Sequence, residues 1–230
     1  MKLSIIIPVF NEAALLHDAL SALKPMISNG VEVILVDGNS ADETLAVGKR
    51  FDIRVVNAQR GRAAQQNAGA AIAIGDMLLF LHADTRLPAN ALELVTRALK
   101  HPHTAWGRFD VALITSGLQP DLMLRTIAFM MNMRSRWSGN ATGDQCIFVR
   151  RKAFFDVGGF PEIPLMEDIA LSQRLKKIAR PVCLRERVET SARRWQTRGV
   201  WRTVMLMWWL RFAYWIGVSP KRLARWYGYA

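Results

Sequence analysis

Groups able to do chemistry stand in this chain where apolar runs give way to polar residues. Asp37 follows the run Val31–Val36 and precedes Gly38-Asn39-Ser40, Arg60-Gly61-Arg62 follows Ile53–Val56, and His82 and Asp84 close the run that begins at Met77. In open α/β sheets ligands bind beyond the carboxyl ends of the strands, so residues at such places lie where a substrate would. A carboxylate at Asp37 can hold a ribose or base by hydrogen bonds. One at Asp84 can hold a divalent cation against a phosphate, and Arg60 and Arg62 can neutralise a pyrophosphate. Each also has an ordinary structural reading: an Asx turn at Asp37, a solvated glycine turn at Arg60-Gly61-Arg62, and at Asp84 the cap of a helix with Pro88 in its first turn.

The elements that must position these groups alternate in type. Leu3–Ile7 is a short apolar run closed by Pro8, and Asn11-Glu12 then opens a periodic helix through Leu15, Leu16, Ala19, Leu20 and Leu23. Because Pro8 and Asn11-Glu12 end that run early, it reads as a first strand rather than a targeting segment. Val31–Val36, Ile53–Val56 and Met77–Leu81 are further strands, separated by helices at Asp42-Glu43 and from Arg62 to Ile74. Such alternation argues for a three-layer α/β domain with a parallel sheet, on which Asn11, Asp37, Arg60 and Asp84 would share one edge. After Lys100 the spacing predicts a strand over Trp106–Ile114, a helix over Leu122–Met133 and a strand over Gln145–Val149. A short helix stopped by Gly158-Gly159 follows, then a helix over Glu167–Ile178 with Ile169, Leu171, Leu175 and Ile178 on its buried side. Glu167 and Asp168 fall in its first turn, where acids complement the helix dipole.

Composition bounds the setting. The 230 residues carry a net charge of +12 and are 51% hydrophobic. Cys146 and Cys183 are too few for a disulfide framework and lack metal-ligand spacing, which makes a reducing cytoplasm the expected compartment. The basic excess gathers late: from Arg185 onward ten Lys/Arg face two acids, Glu186 and Glu189. Val204–Val218 holds Trp208, Trp209, Phe212, Tyr214 and Trp215 around Arg211, flanked by Arg198, Arg202, Lys221, Arg222 and Arg225. The stretch is short for a membrane span, and a central Arg costs roughly 2.5–3.5 kcal/mol on insertion scales. A helix lying in the interface fits better than a span, a lid or a homodimer contact. Residues 1–198 are therefore read as one α/β domain and residues 199–230 as an amphipathic, aromatic and basic helical tail. That tail would hold the protein peripherally at the inner face of the plasma membrane.

The segments Ile5-Ile6-Ile7-Pro8-Val9-Phe10-Asn11-Glu12, Val36-Asp37-Gly38-Asn39-Ser40-Ala41-Asp42-Glu43-Thr44 and Leu81-His82-Ala83-Asp84, in this order, resemble family 2 glycosyltransferases of the GT-A fold. The similarity continues through Gly143-Asp144-Gln145 and Gly158-Gly159-Phe160 to Met166-Glu167-Asp168-Ile169-Ala170-Leu171-Ser172-Gln173-Arg174-Leu175. The resemblance implies a GT-A-like three-layer sandwich with a mostly parallel sheet. It implies inverting transfer of a sugar from a nucleotide diphosphate, a UDP-sugar before a GDP-sugar, to a hydroxyl or carboxylate on a small or lipid-linked acceptor. Position by position, Pro8, Asn11 and Glu12 would line the nucleotide pocket, Asp37 would contact the base or ribose, and Arg60 and Arg62 would lie near it. Asp84 would meet the metal and the diphosphate. Asp168, paired with Glu167, would take the acceptor's proton, and Gly143, Asp144, Gln145, Arg193 and Arg194 would lie on the acceptor or diphosphate side.

The implied cofactor is a divalent cation, Mn²⁺ or Mg²⁺, on Asp84 and His82. Here the chain departs from the family pattern, because His82 stands where the first of two acids is common and no histidine follows His103. Arg193-Arg194 would then share the neutralisation of the diphosphate. The compact length, Thr190-Ser191-Ala192-Arg193-Arg194-Trp195 and Gly217-Val218-Ser219-Pro220 resemble a small bacterial subgroup. Its members are labelled arsenosugar-biosynthesis or carotenoid-acid (diaponeurosporenoate-type) glycosyltransferases. Two rivals use other chemistry. A nucleotidyltransferase would open with a Gly- and Lys/Arg-rich loop after the first strand, which Pro8-Val9-Phe10-Asn11-Glu12 is not. A basic module binding lipid or nucleic acid would leave Asp37, Asp84 and Asp168 without a task, so no nucleic-acid partner is expected.

Overall fold

The computed structural model describes residues 1–115, 122–193, 197 and 199–228. In its N-terminal half the apolar runs become strands, β1 (Leu3–Val9), β2 (Glu32–Asp37) and β4 (Met77–Phe80) buried on both faces and the edge strand β3 (Arg54–Asn57) partly exposed. Helices α1 (Ala13–Ser28), α2 (Thr44–Gly48) and α3 (Arg62–Ile72) connect them. β1 pairs in parallel with β2 and β4, and β2 with β3, so all of these strands end at the same edge. Successive side chains of a strand point to opposite faces, and the core divides accordingly. Ile5, Ile7, Leu35 and Leu79 pack with Leu16 and Leu20 of α1, and with Leu94 and Leu99 of α4 (Ala91–Lys100). Ile6, Ile34, Val36, Leu78 and Phe80 pack on the other side with Ala70 of α3, Phe154 of α6 (Arg151–Asp156), and Leu171 and Leu175 of α7 (Glu167–Leu175).

Beyond α4 the sheet becomes mixed. β7 (Phe148–Arg150) runs antiparallel to β4 and to β6 (Trp106–Ile114), whereas β8 (Val182–Ser191) runs parallel to β6. The short β5 (Thr85–Arg86) pairs antiparallel with β8 and completes the order β3-β2-β1-β4-β7-β6-β8-β5. Helix α5 (Leu122–Ser138) docks on β6 through Asn132, whose carboxamide accepts from Val111 N–H at 2.9 Å and donates to Val111 O at 3.0 Å. Beneath it the buried Arg108 pairs with Asp110 and donates to Asn132 O at 3.1 Å. Two helices close the described chain, α8 (Val200–Trp215) and α9 (Pro220–Tyr227).

Several expectations shift. β8 escapes the sequence reading because Arg185, Glu186, Arg187 and Glu189 interrupt its apolar pattern; Val188 and Thr190 alone are deeply buried. Gln145 belongs to a 3₁₀ turn, Gly143–Gln145, rather than to a strand. α7 stops at Leu175, which leaves Ile178 exposed instead of on a buried face. The helix after Asp84 takes Asn90 as its N-cap residue, so Asp84 is not its cap.

Close contact of α3 with the sheet depends on Gly69, where a Cβ would lie 2.5 Å from Ile6 Cγ2 and 2.9 Å from Val36 Cγ2. Both neighbours are β-branched and fixed in the core, so Gly69→Ala is expected to cost about 1–3 kcal/mol of stability as overpacking does. Urea denaturation of the variant checks this; an unchanged midpoint would mean that α3 can lift off the sheet freely.

Candidate active site

The loops beyond β1 and β2 are stitched together. Asp37, fully buried at the end of β2, accepts Ser40 N–H at 2.9 Å and the Ser40 hydroxyl at 2.5 Å, so its carboxylate closes the Asx turn. The Asn11 N–H donates to Ser40 Oγ at 2.9 Å, and Asn11 Oδ1 accepts Ala41 N–H at 2.8 Å. Glu12 N–H donates to Thr44 Oγ1 at 2.9 Å. Pro8 lies within β1 opposite Val36. Below them Gln65 of α3 is buried, and its Nε2 donates to Val9 O and Val36 O, both at 2.8 Å. Its Oε1 accepts Gly61 N–H at 3.2 Å. One carboxamide thereby satisfies strand-end carbonyls that water cannot reach and fixes the start of α3 against both strands. Sequence reasoning passed over Gln65, although a Gln on the inward side of an Ala-rich first turn was a usable signal.

Charged groups gather around this edge. Arg193 Nη2 lies 3.8 Å from Glu12 Oε2. Burial raises the Glu12 carboxyl above its ordinary range; Asp84 adds to this, while Arg193 and Arg62 oppose it. Asp84, Arg62 and Arg193 thus all act on Glu12 at the start of α1. Arg60 departs from the group, its guanidinium stacked 4.1 Å over the Phe10 ring. Arg194 lies outside the described residues.

The start of α7 is tied to the end of β4 by the Gly143–Gln145 turn. Gly143 N–H donates to Asp168 Oδ2 at 3.0 Å, and Ile169 N–H donates to Asp168 Oδ1 at 2.7 Å. A Cβ on Gly143 would lie 2.5 Å from His82 Cε1, so the turn rests directly on the imidazole. His82 Nδ1 is 3.5 Å from Asp144 Oδ1. Gln145 turns inward, its Nε2 donating to Asn132 Oδ1 at 3.3 Å, and supports the turn instead of facing a ligand. Glu167 is buried beside Asp168. Burial, reinforced by the charge of Asp168 and opposed by Arg62 and His82, pushes its carboxyl up to about 7.

Backbone strain marks the same region. Among the described residues the non-glycine positions with positive φ are Asn11, Asn39, Cys146 and Met166, and each sits in one of the loops just named. Such conformations cost free energy and persist where surrounding contacts impose them, commonly at functional sites. The donor set for a cation is thinner. Among the described residues no group of three or more His, Cys, Asp or Glu side chains could hold a metal ion. His82 is directed at Asp144 beneath Gly143, which leaves Asp84 as a single carboxylate. These residues do not fit a resident cation on their own.

A family model described as glycosyl transferase family 2 matches residues 4–158. A PGL/p-HBAD biosynthesis glycosyltransferase of Mycobacterium tuberculosis is 31% identical over 176 residues, which cover 68% of this chain and 62% of the relative. The chain thus spans less than two thirds of that relative's length. Among solved structures, S. aureus TarS 1-349 in complex with UDP-GlcNAc superposes with TM-score 0.66 at 20% identity, over 83% of this chain and 58% of that one. The mannosyltransferase PcManGT of Pyrobaculum calidifontis, in complex with GDP-Man and Mn²⁺, gives TM-score 0.65 at 20% identity, over 92% and 61%. At that identity the structures establish the shared GT-A fold.

The raised Glu167 carboxyl has a consequence for stability. Its folded pKa of about 7 exceeds the ordinary 4.5, so the native state binds more protons in that window and wild-type stability falls as pH rises through it. Glu167→Gln mimics the protonated acid. It is expected to raise the thermal midpoint at about pH 8, with the gain fading toward about pH 5. Thermal melts of both proteins across this range check the sign; a gain largest in acid would reverse the assignment.

Proposed function

This chain belongs to glycosyl transferase family 2, and on that premise we propose that it moves a sugar from a nucleotide diphosphate to an acceptor hydroxyl or carboxylate with inversion at the anomeric carbon. One observation carries the reading: the Gly143 turn bonded to Asp168 rests on His82, which ties the α7 acid to the segment beyond β4 that holds His82 and Asp84. The donor's phosphates would then lie between Asp84 and the arginines, with its base toward the Asn11, Glu12 and Asp37 loops. Asp168 takes the proton of the acceptor hydroxyl as its oxygen attacks the anomeric carbon, and the bond to the diphosphate breaks with its electron pair leaving on the phosphate oxygen. Hydroxyls are weak nucleophiles, so this proton transfer is where a carboxylate acts most. Arg62 and Arg193 supply positive charge to the departing diphosphate. UDP-sugar and GDP-sugar donors are both supported by the ligands of TarS and PcManGT.

The tail supports a membrane-surface role and a division of the chain near residue 198. α8 exposes Trp201, Met205, Trp208, Trp209, Phe212 and Trp215, an apolar patch unusual on a soluble surface. α9 exposes Lys221, Arg222 and Arg225 beside Trp226, whose ring lies 6.2 Å from that of Trp209. No helix of the described residues is long and apolar enough to cross a membrane. Aromatic and basic side chains on one surface suit anionic headgroups, and an acceptor anchored in lipid would reach the site from there. Within the family, the Gly217-Val218-Ser219-Pro220 turn between α8 and α9 supports the placing beside the arsenosugar-biosynthesis and carotenoid-acid enzymes.

Two expected outcomes test these readings. Asp168→Asn should keep the fold and UDP binding yet lose roughly 10²- to 10⁴-fold in turnover, whereas Glu167→Gln should lose far less. Side-by-side kinetics with a panel of nucleotide sugars decide this, and a dead Glu167→Gln beside an active Asp168→Asn would move the base one residue earlier. In vesicle sedimentation the protein should pellet with anionic liposomes, less so with neutral ones and less in high salt, and Trp201→Ala with Trp208→Ala should weaken pelleting. No pelleting at all would give the aromatic row an internal role.

A further inference from the structure

Against α7, where Ile169 and Ala170 follow Asp168, lies a cavity of about 760 Å³ whose lining includes none of the residues assigned to the donor. Cations from separate elements line it: Arg134 of α5, Arg174 of α7, Lys177 just beyond α7, and Arg211 of α8. No Asp or Glu is among its lining residues. Tyr214 and Trp215 form part of its wall on the tail side. Arg134 Nη2 and Asn140 Oδ1 are buried there with no hydrogen-bond partner, although buried guanidinium and carboxamide groups are almost always paired.

We propose that this cavity receives the acceptor through an anionic group, a phosphate or a carboxylate, that Arg134 and Arg211 grip next to Asp168. The proposal rests on the glycosyl-transfer reading and adds to it the acceptor's charge and the residues that select it. Planar guanidinium groups match the oxygens of a phosphate or carboxylate and hold them by paired, charge-assisted hydrogen bonds. Burial, with the neighbouring charge of Arg211, draws Arg134 down to about 9, and burial lowers Arg211 as well. Asp168 and Asp144 act on both arginines from the catalytic side, so an anion entering the cavity completes a charge balance that those acids begin. An aliphatic portion of the acceptor would leave past Trp215 toward the exposed aromatic row of α8.

Binding of decyl phosphate, decanoate and neutral decyl maltoside to the full chain, followed by tryptophan fluorescence, tests the inference. Both anionic probes should bind wild type at least about tenfold more tightly than the neutral one. Arg134→Gln and Arg211→Gln should each weaken the anionic probes about 10- to 100-fold while leaving UDP binding unchanged, and Arg211→Lys should retain part of the affinity. A preference for decyl phosphate over decanoate identifies a phosphate acceptor, and the reverse a carboxylate. Equal binding of the neutral probe to wild type, a comparison that needs no variant, would overturn the proposal, as would unchanged anion binding in variants that still bind UDP. If wild type turned over no nucleotide sugar and bound no nucleotide, the glycosyl-transfer reading would fail, while arginine-dependent anion binding would still stand.

Discussion

The hydrogen bond from Gly143 N–H to Asp168 is the constraint on which this side of the candidate site depends. A carboxylate at a helix start can point several ways, and here two backbone donors fix it. The bond forms because residue 143 has no Cβ: any side chain would strike the His82 ring and lift the turn away from α7. His82, placed by the end of β4, is therefore a floor for the turn, and its approach to Asp144 holds the turn from the other side. The parallel and mixed halves of the sheet meet at this contact. A strand end from one half and a helix start from the other become parts of a single site.

The loops beyond β1 and β2 are fixed by a different set of hydrogen bonds. Parallel strands that stop at one edge leave carbonyls facing a region a ligand must share, and buried carbonyls without partners are costly. Gln65 satisfies two of them from below, so the loops above are free to bond one another. Asn11 and Asn39 adopt left-handed conformations that Asn tolerates better than most residues, which lets both loops turn sharply over the strand ends. The strain at Met166 has no such residue-type excuse. It is held by packing, since Met166 lies in an apolar cluster with Ile169, Leu210, Ala213, Leu223 and Tyr227.

The parts legible in the sequence were those where one local pattern sufficed. The runs in β1, β2 and β4 are apolar because both faces of those strands are covered, so their ends, and with them Asp37 and Asp84, could be located. β8 could not be found this way: an outer strand keeps a charged face, and Arg185, Glu186, Arg187 and Glu189 resemble a solvated tail until β6 is seen beside them. The long-range bonds of Gln65, and the meeting of Arg134 and Arg211 in one cavity lining, leave no periodic trace. Arg211 is the clearest case. In sequence it is a charge interrupting an apolar helix and an argument about insertion cost; in the fold it lines a cavity against α7 while its aromatic neighbours are exposed.

That double character of α8 joins the tail to the chemistry. One side of the helix exposes its aromatic row, while Leu210 and Ala213 on the other side pack against Met166 and Ile169, the residues that flank Glu167 and Asp168. The strained entry into α7 is thus buttressed by the same helix that would meet the membrane. Removing that apolar cover would leave Met166 free to relax from its left-handed conformation and the first turn of α7 free to rotate. A rotation there moves the Asp168 carboxylate away from Gly143 N–H, because both bonds to it depend on the helix start. The tail thus supports the entry into α7 through Met166 and Ile169, while Arg211 on the same helix lines the neighbouring cavity.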